Sequence, residues 1–430
     1  VFTPQRAQRA KAESRDVPPG IATMPVVSQP CVARQPILDL NGRVFGYELL
    51  FRRSAELRSC DVEPNLACMQ VVVDAMHSIG LDTLTTGKFA FVNITREFLL
   101  SGSVTLLPRE RVVIELLEEI EADREVVDAC AALKHAGYAL ALDDFTNSDH
   151  VAPLLPLVEY LKIDVLALNS RAAREPVLAA ATRYRPCLVA EKVETPERFD
   201  DTAAEGFTHF QGYFFGRPAV REVKRIPTSR AAYAALLAQL SNPDISVREL
   251  ERVIKQDVSL THRVLRAVNS AATPLRVEIR SIDQAIILLG RDTIRRWGAL
   301  WAIASINNDA CPELINSSII RARCCELLEA RAGRESGAGF LLGICSLLDA
   351  ILEQPMAAVL QQLPVQADIR AALLGESNPR RTLLDCVVAY ERGDWHRSET
   401  LAAEARVNAA VLPDYYQDSL GWARAITSSR

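Results

Sequence analysis

From Arg34 to about Pro218, short apolar runs rich in β-branched and aromatic residues alternate with longer stretches of helical periodicity. That alternation predicts a parallel sheet with crossover helices. The runs cover 44–51, 89–94, 111–117, 138–144, 160–164, 187–191 and 208–213, each too short for a helix. Between them 65–79, 124–136, 170–185 and 196–205 read as helices, with Gly80, Gly137 and Gly206 where C-caps belong. The count suits a (β/α) barrel of the TIM type. After a linker at 222–228 the alternation stops, and 229–430 reads as helices joined by short turns. Ser246 with Glu249 makes a capping-box pattern ahead of Leu250, Val253, Ile254 and Val258, and Ser281 with Gln284 repeats it ahead of a helix ending at Gly290. The chain thus divides into a tail (1–30), an α/β barrel (31–221), the linker and an all-α domain (229–430).

Length agrees with two domains, since a single core stops growing well short of 430 residues. No apolar run approaches the roughly 20 residues of a membrane-spanning helix, so no membrane association is expected. Residues 1–30 mix Arg, Pro, Ser and Gln without periodicity and without the apolar stretch of a secretory signal, and read as a disordered tail. The ten cysteines form no C-x-x-C pair, and only Cys324 and Cys325 are adjacent. This usage points to reduced thiols in a cytoplasmic protein and does not imply zinc. A net charge of −5 gives no footprint for double-stranded nucleic acid, while a local basic pocket for a small phosphate ligand remains compatible with it.

The candidate chemistry stands at or near the ends of the apolar runs, in the order Glu48, Asn93, Glu115, Asp143-Asp144, Lys162, Glu191 and Gln211. In a barrel the C-terminal ends of the strands converge on one face, so these groups would meet. Carboxylates crowded together repel unless cations neutralise them, and oxygen ligands suit hard ions such as Mg²⁺ or Mn²⁺. Asp143-Asp144 at one strand end can bridge two ions, an arrangement suited to in-line phosphoryl displacement, with Lys162 orienting the water. A lone acidic residue at a strand end is more often a helix cap. Asp164 and Thr195 are read that way. A polar group on seven consecutive runs is harder to assign to capping and favours a metal or phosphate site.

Particular motifs sharpen this reading: Gln35-Pro36-Ile37, Glu48-Leu49-Leu50 with Arg52, Phe91-Val92-Asn93-Ile94-Thr95, Glu115-Leu116-Leu117-Glu118, Asp143-Asp144-Phe145, Lys162-Ile163-Asp164, Ala190-Glu191-Lys192-Val193-Glu194-Thr195 and Gln211-Gly212-Tyr213-Phe214. In order and spacing they resemble the EAL domain of cyclic di-GMP signalling. The resemblance implies hydrolysis of cyclic di-GMP to the linear dinucleotide with two divalent cations, Mg²⁺ or Mn²⁺. It implies Glu48, Asn93, Glu115, Asp143, Asp144 and Glu191 as metal ligands, Lys162 as the holder of the water and Gln211 as support. Glu191 and Glu194 stand with Lys162 and Gln211 among the implied catalytic residues, and Gln35 and Arg52 contact the ligand. Arg52 suits the role as a fork-shaped phosphate donor.

Three departures from the family pattern bear on activity. Leu49 replaces a small Ala, and either crowds the site or points into the barrel wall. Residues 146–150 replace a Gly- and Ser-containing loop that the family uses to couple dimerisation to metal positioning, which is expected to weaken hold on the second metal more than ligand binding. Lys192 replaces a Gly, and either bridges to the carboxylates or points outward.

In the helical half, Val268-Asn269-Ser270, 281–285 leading to Leu289-Gly290, and Phe340-Leu341-Leu342-Gly343 resemble an HDOD domain. The related HD hydrolases need clustered histidines and aspartates, yet this half holds only His262 and His396. Ser346-Leu347 stands where the HD pair would follow Gly343, and Asp349 has no adjacent His. No hydrolase chemistry is expected there. His262 reads as a surface or half-buried residue, and Trp297 with Trp301 as a core stripe. The pairing resembles a bacterial two-domain signalling architecture: a phosphodiesterase with a regulatory helical domain that contacts a protein partner, with a homodimer in prospect. The alternative is a catalytically weak or inactive receptor or scaffold for cyclic di-GMP.

Overall fold

The computed structural model describes residues 31–52, 72, 76–146, 150–212, 239–240, 245–255, 281–291, 294, 298, 312–334, 338–352, 354–361 and 365–427, without the side chains of Arg52, His77, Ser78, Leu288, Leu289, Ile426 and Thr427. Eight strands close into a barrel in chain order. They are β1 (Cys31–Asp39), β2 (Val44–Arg52), β3 (Phe89–Ile94), β4 (Val112–Leu116), β5 (Ala139–Leu142), β6 (Tyr160–Asp164), β7 (Cys187–Glu191) and β8 (His209–Gln211). The seven predicted runs are all present, with ends that differ by up to two residues in the described part.

The expected parallel sheet needs one correction. β1, which the apolar pattern did not predict, runs antiparallel to both β2 and β8. Arg34, Gln35 and Pro36 break its apolar alternation. A hairpin joins β1 to β2, with Asp39 Oδ1 accepting from the Asn41 and Arg43 amides and Gly42 at φ 72°. An antiparallel pair needs no crossover helix. The β1–β2 connection therefore supplies no helix to the outer wall.

The period of two along each strand sorts side chains into layers inside the barrel. Ile37, Phe91, Val113, Ala141 and Val189 form a buried inner layer. Below it, toward the strand starts, Phe45, Phe89, Tyr160 and His209 stack their rings, His209 lying 4.3 Å from Phe45. One step above the apolar layer come the polar strand ends.

The helices α1 (Arg124–His135), α2 (Arg171–Tyr184) and α3 (Pro196–Ala204) match their predicted ranges to within a residue at each end. Asp123, Ser170 and Thr195 cap them through side-chain oxygens. Of the predicted helix 65–79 most lies outside the described residues, and Met76–Gly80 forms a π-helical turn.

In the helical half, α4 (Val247–Lys255) and α5 (Ile282–Leu289) carry the predicted caps. Glu249 Oε2 accepts from the Ser246 amide at 3.0 Å, and Ser281 Oγ accepts from the Gln284 amide at 3.3 Å. Residues 257–270 with His262, and Trp297 and Trp301, lie outside the described residues. The long α6 (Pro312–Arg331) crosses α7 (Ala338–Cys345) at Gly343, where a Cβ would fall 2.4 Å from the Arg321 backbone. α8 (Pro379–Glu391), α9 (Trp395–Glu404) and α10 (Leu412–Thr427) complete the half. α8 and α10 lie against β1 and supply the cover that the hairpin leaves out. One apolar core runs through both halves, from Tyr47 and Leu49 to Tyr390 and Tyr416. Among the described residues no helix is long and apolar enough to cross a membrane, and the cysteines are free thiols.

Candidate active site

Strand register sets the level at which the site forms: Gln35 stands opposite Glu48, Asn93 beside Glu115, and Asp164 beside Glu191. Asn93, Glu115, Asp143 and Glu191 each stand two positions beyond an inner-layer residue, Phe91, Val113, Ala141 and Val189 in turn. The same alternation turns Leu49 away from Glu48 into the core outside the sheet, where it is fully buried, so it belongs to the wall and does not crowd the site.

The centre of the cluster is Lys162, whose side chain is 1% exposed. Its ammonium lies 3.1 Å from Glu48, 3.0 Å from Asp143 and 2.8 Å from Glu191, and also touches Glu115. Four carboxylates share one ammonium. Burial first, and then the neighbouring carboxylates, push Glu115 well above the usual range and Glu191 up to about 8, against the pull of Lys162. Asp144 is raised by burial and by Asp143. Burial alone would lower Lys162, yet Glu115 and the other carboxylates hold it well above its ordinary value.

Amides frame the cluster. Asn93 Nδ2 donates to Glu48 Oε1 at 2.9 Å, and Gln211 Nε2 donates to Glu48 Oε2 at 2.6 Å and to Gln35 Oε1 at 2.9 Å. Gln35 Nε2 in turn donates to the Arg392 carbonyl at 3.1 Å. Beside the cluster a cavity of about 300 Å³ is lined by Glu118, Asp143, Asp144, Thr146, His150 and Asp164. Asp144 sits at φ 42° and Lys192 at φ 56°, left-handed positions that a non-glycine residue rarely adopts.

Four buried oxygens, Asn93 Oδ1, Glu115 Oε2, Asp144 Oδ1 and Gln211 Oε1, have no hydrogen-bond donor aligned on them, while Glu115 Oε1 has the Lys162 ammonium against it. All are acceptors, and acceptors without donors are what a hard divalent cation satisfies, so the donor set fits Mg²⁺ or Mn²⁺. The carboxylates do not surround a ready metal position: among the described residues no three His, Cys, Asp or Glu side chains are disposed to hold an ion. The Lys162 ammonium stands between them.

The structure brings together Glu48, Asn93, Glu115, Asp143, Lys162, Glu191 and Gln211, places Asp144 at the edge facing the cavity, and joins Gln35 through Gln211. Glu194 lies on the segment between β7 and α3, outside these contacts. The side chain of Arg52 and residues 147–149 of the altered loop lie outside the described residues. Asp164 is the turn cap expected of it, its Oδ1 accepting from the Leu166 and Ala167 amides. Its Oδ2 meets Lys192 Nζ at 2.5 Å, so Lys192 bridges to a carboxylate next to the cluster. The sequence reading missed the helical half's share. Glu313 of α6 accepts from Tyr47 at 2.7 Å and lies 3.7 Å from Arg34, which are neighbours of Glu48 and Gln35.

A (β/α) barrel gathering oxygen acceptors around a buried lysine at its strand ends, backed by a helical domain, defines a class that comparison with known proteins narrows. Residues 90–218 match the family model described as the EAL domain, and residues 226–372 match that of the HDOD domain. Uncharacterized protein YuxH of Bacillus subtilis is 32% identical over 93% of this chain and 99% of its own length. Cyclic di-GMP phosphodiesterase CdgJ of Vibrio cholerae is 34% identical over 86% of each chain. Probable cyclic di-GMP phosphodiesterase PdeN of Escherichia coli is 30% identical over 44% of this chain and 43% of its own. The chain belongs to the family of proteins that join an EAL barrel to an HDOD domain.

Proposed function

We propose that the chain is a cyclic di-GMP phosphodiesterase of bacterial signalling, hydrolysing the cyclic dinucleotide to its linear form with two divalent cations, Mg²⁺ or Mn²⁺, while the HDOD half serves regulation through contacts with a protein partner. The observation that carries this reading is the set of donor-less buried oxygens around Lys162. A relative 34% identical over most of the chain bears the name of that activity. Glu48, Asn93, Glu115, Asp143, Asp144 and Glu191 would hold the cations, which neutralise the phosphate and activate the attacking water.

The chain's own residues then have distinct tasks. Lys162 keeps its proton among four carboxylates and donates hydrogen bonds, so it orients the water rather than accepting a proton from it. Gln211 fixes Glu48, and Gln35 presents an amide to the ligand at the mouth. Glu194 acts from beyond the cluster, through the segment that follows Glu191.

The test is to incubate the purified chain with cyclic di-GMP in Mg²⁺, Mn²⁺ and Ca²⁺ and follow the linear dinucleotide. Product in Mg²⁺ or Mn²⁺ is expected. Binding without product in any of the three ions would replace the reading with a receptor, and absence of binding would remove the nucleotide altogether.

A further inference from the structure

The amides at the barrel mouth form a chain with one direction. Gln211 Nε2 donates both to Glu48 Oε2 and to Gln35 Oε1, and Gln35 Nε2 donates to the backbone carbonyl of Arg392, in the turn between α8 and α9. A carbonyl can only accept. It therefore forces Gln35 to present nitrogen outward and oxygen inward, which obliges Gln211 to turn its own nitrogen toward Gln35 and Glu48. Were Gln35 reversed, Gln211 would have to offer Oε1 to it, and the donor on Glu48 would be lost or replaced by an oxygen facing a carboxylate.

Two further observations place the same grip on either side. Glu313 of α6 holds Tyr47 and Arg34, one residue from Glu48 and from Gln35. The turn itself is seated on β2: Gly393 has φ 70°, and a Cβ there would stand 2.7 Å from Leu50 Cδ1. Close packing does not do this work at Gln35, because a cavity of about 100 Å³ lined by Gln35, Gly212, Glu313, Arg321 and Glu391 lies alongside. The hydrogen bond that Gln35 donates to the helical half fixes the amide instead.

We infer that the Arg392-Gly393 turn of the helical half is a positioning element of the barrel's catalytic mouth, setting the hydrogen-bond sense of Gln35 and Gln211 and through them the orientation of Glu48. The inference deepens the phosphodiesterase reading and rests on it for the identity of the site, but it concerns this chain's residues and can be tested on metal binding alone. Any partner that shifts α8 against β1 would act on the site by this route.

The experiment uses the full chain and Gly393→Val, since a β-branched residue is a backbone outlier at positive φ and its Cβ meets Leu50, so the turn must leave its seat. Mn²⁺ affinity by calorimetry, cyclic di-GMP affinity in Ca²⁺, and turnover in Mn²⁺ are measured for wild type, Gly393→Val, Gln35→Met and the double variant. Gly393→Val should weaken Mn²⁺ binding about tenfold and lower kcat about tenfold, with KM changed less than about threefold. In the Gln35→Met background it should add nothing, because both changes cut one chain. If the Val variant does not fold, Gly393→Asn tolerates the left-handed backbone and carries the same Cβ. A folded Gly393 variant with wild-type Mn²⁺ affinity, or effects that simply add to those of Gln35→Met, would overturn the inference. Wild type that binds Mn²⁺ but yields no product sinks the phosphodiesterase reading and leaves this one standing. Product formation indifferent to Gly393 does the reverse.

Discussion

Replacing Lys162 with Met removes the one ammonium that four carboxylates share while keeping most of the side chain's apolar volume. Breaking a buried ion pair from one side costs about 3–5 kcal/mol, because the remaining charge is left uncompensated. The cluster can limit that cost by taking up protons, since Glu115 and Glu191 already lie far above the usual carboxylate range. The sign follows from linkage. A carboxyl whose folded pKa is raised gives stability that is full below its unfolded value, near 4.5 for Glu191, and is lost as pH rises through about 8. Loss of Lys162 raises these carboxyls further, so Lys162→Met should be nearly neutral at pH 5 and most destabilising at pH 8. At about 2–4 °C per kcal/mol, the melting point at pH 8 should fall by roughly 6–20 °C in chelator. Mn²⁺ should restore most of the loss, because cations replace the missing positive charge. Thermal unfolding at both pH values, with chelator and with Mn²⁺, decides the matter. An equal loss at pH 5 and pH 8, or no recovery in Mn²⁺, would show that Lys162 acts by packing rather than by charge.

Three more expectations can be checked with standard assays. Glu48→Ala should lower turnover at least about a hundredfold with the fold intact by circular dichroism, since it removes a proposed metal ligand, and an active variant would break that assignment. Metal uptake should release protons and tighten as pH rises toward about 8, because Glu191 must lose its proton to ligate; calorimetry in buffers of different ionisation enthalpy would expose a proton count of zero as the contrary result. Lys192→Gly should tighten Mn²⁺ binding severalfold, because it removes a cation tied to Asp164 near Asp144 and relieves a left-handed Lys; unchanged or weaker binding would count against competition.

The strands and most of the site were legible because both obey a period of two. Phe91 and Asn93, Val113 and Glu115, Val189 and Glu191 repeat one rule, an apolar residue inside the barrel followed two positions later by a polar one at its mouth. β1 escaped because Arg34 and Pro36 interrupt its apolar alternation, and Arg34 is buried among groups such as Glu313, far away in the chain. Nothing local announces such a partner. The Arg392 contribution was still less visible, since its contact with Gln35 is made by a backbone carbonyl, which every residue has. That Lys162 would stand among the carboxylates rather than only beside a water depends on the radius of the closed barrel, which no single strand encodes.

The β1–β2 hairpin and the helices that cover it lie outside the segments that the two family models match. The EAL match ends at residue 218 and the HDOD match at 372, yet α8 and α10, which shelter β1, lie beyond both. A fragment ending at residue 218 would lose Glu313, the partner of Arg34, and one ending at 372 would lose α8 and α10, which pack against β1. In this chain the segments recognised by family models are smaller than the packed unit, because the barrel wall is finished by helices that begin after residue 372.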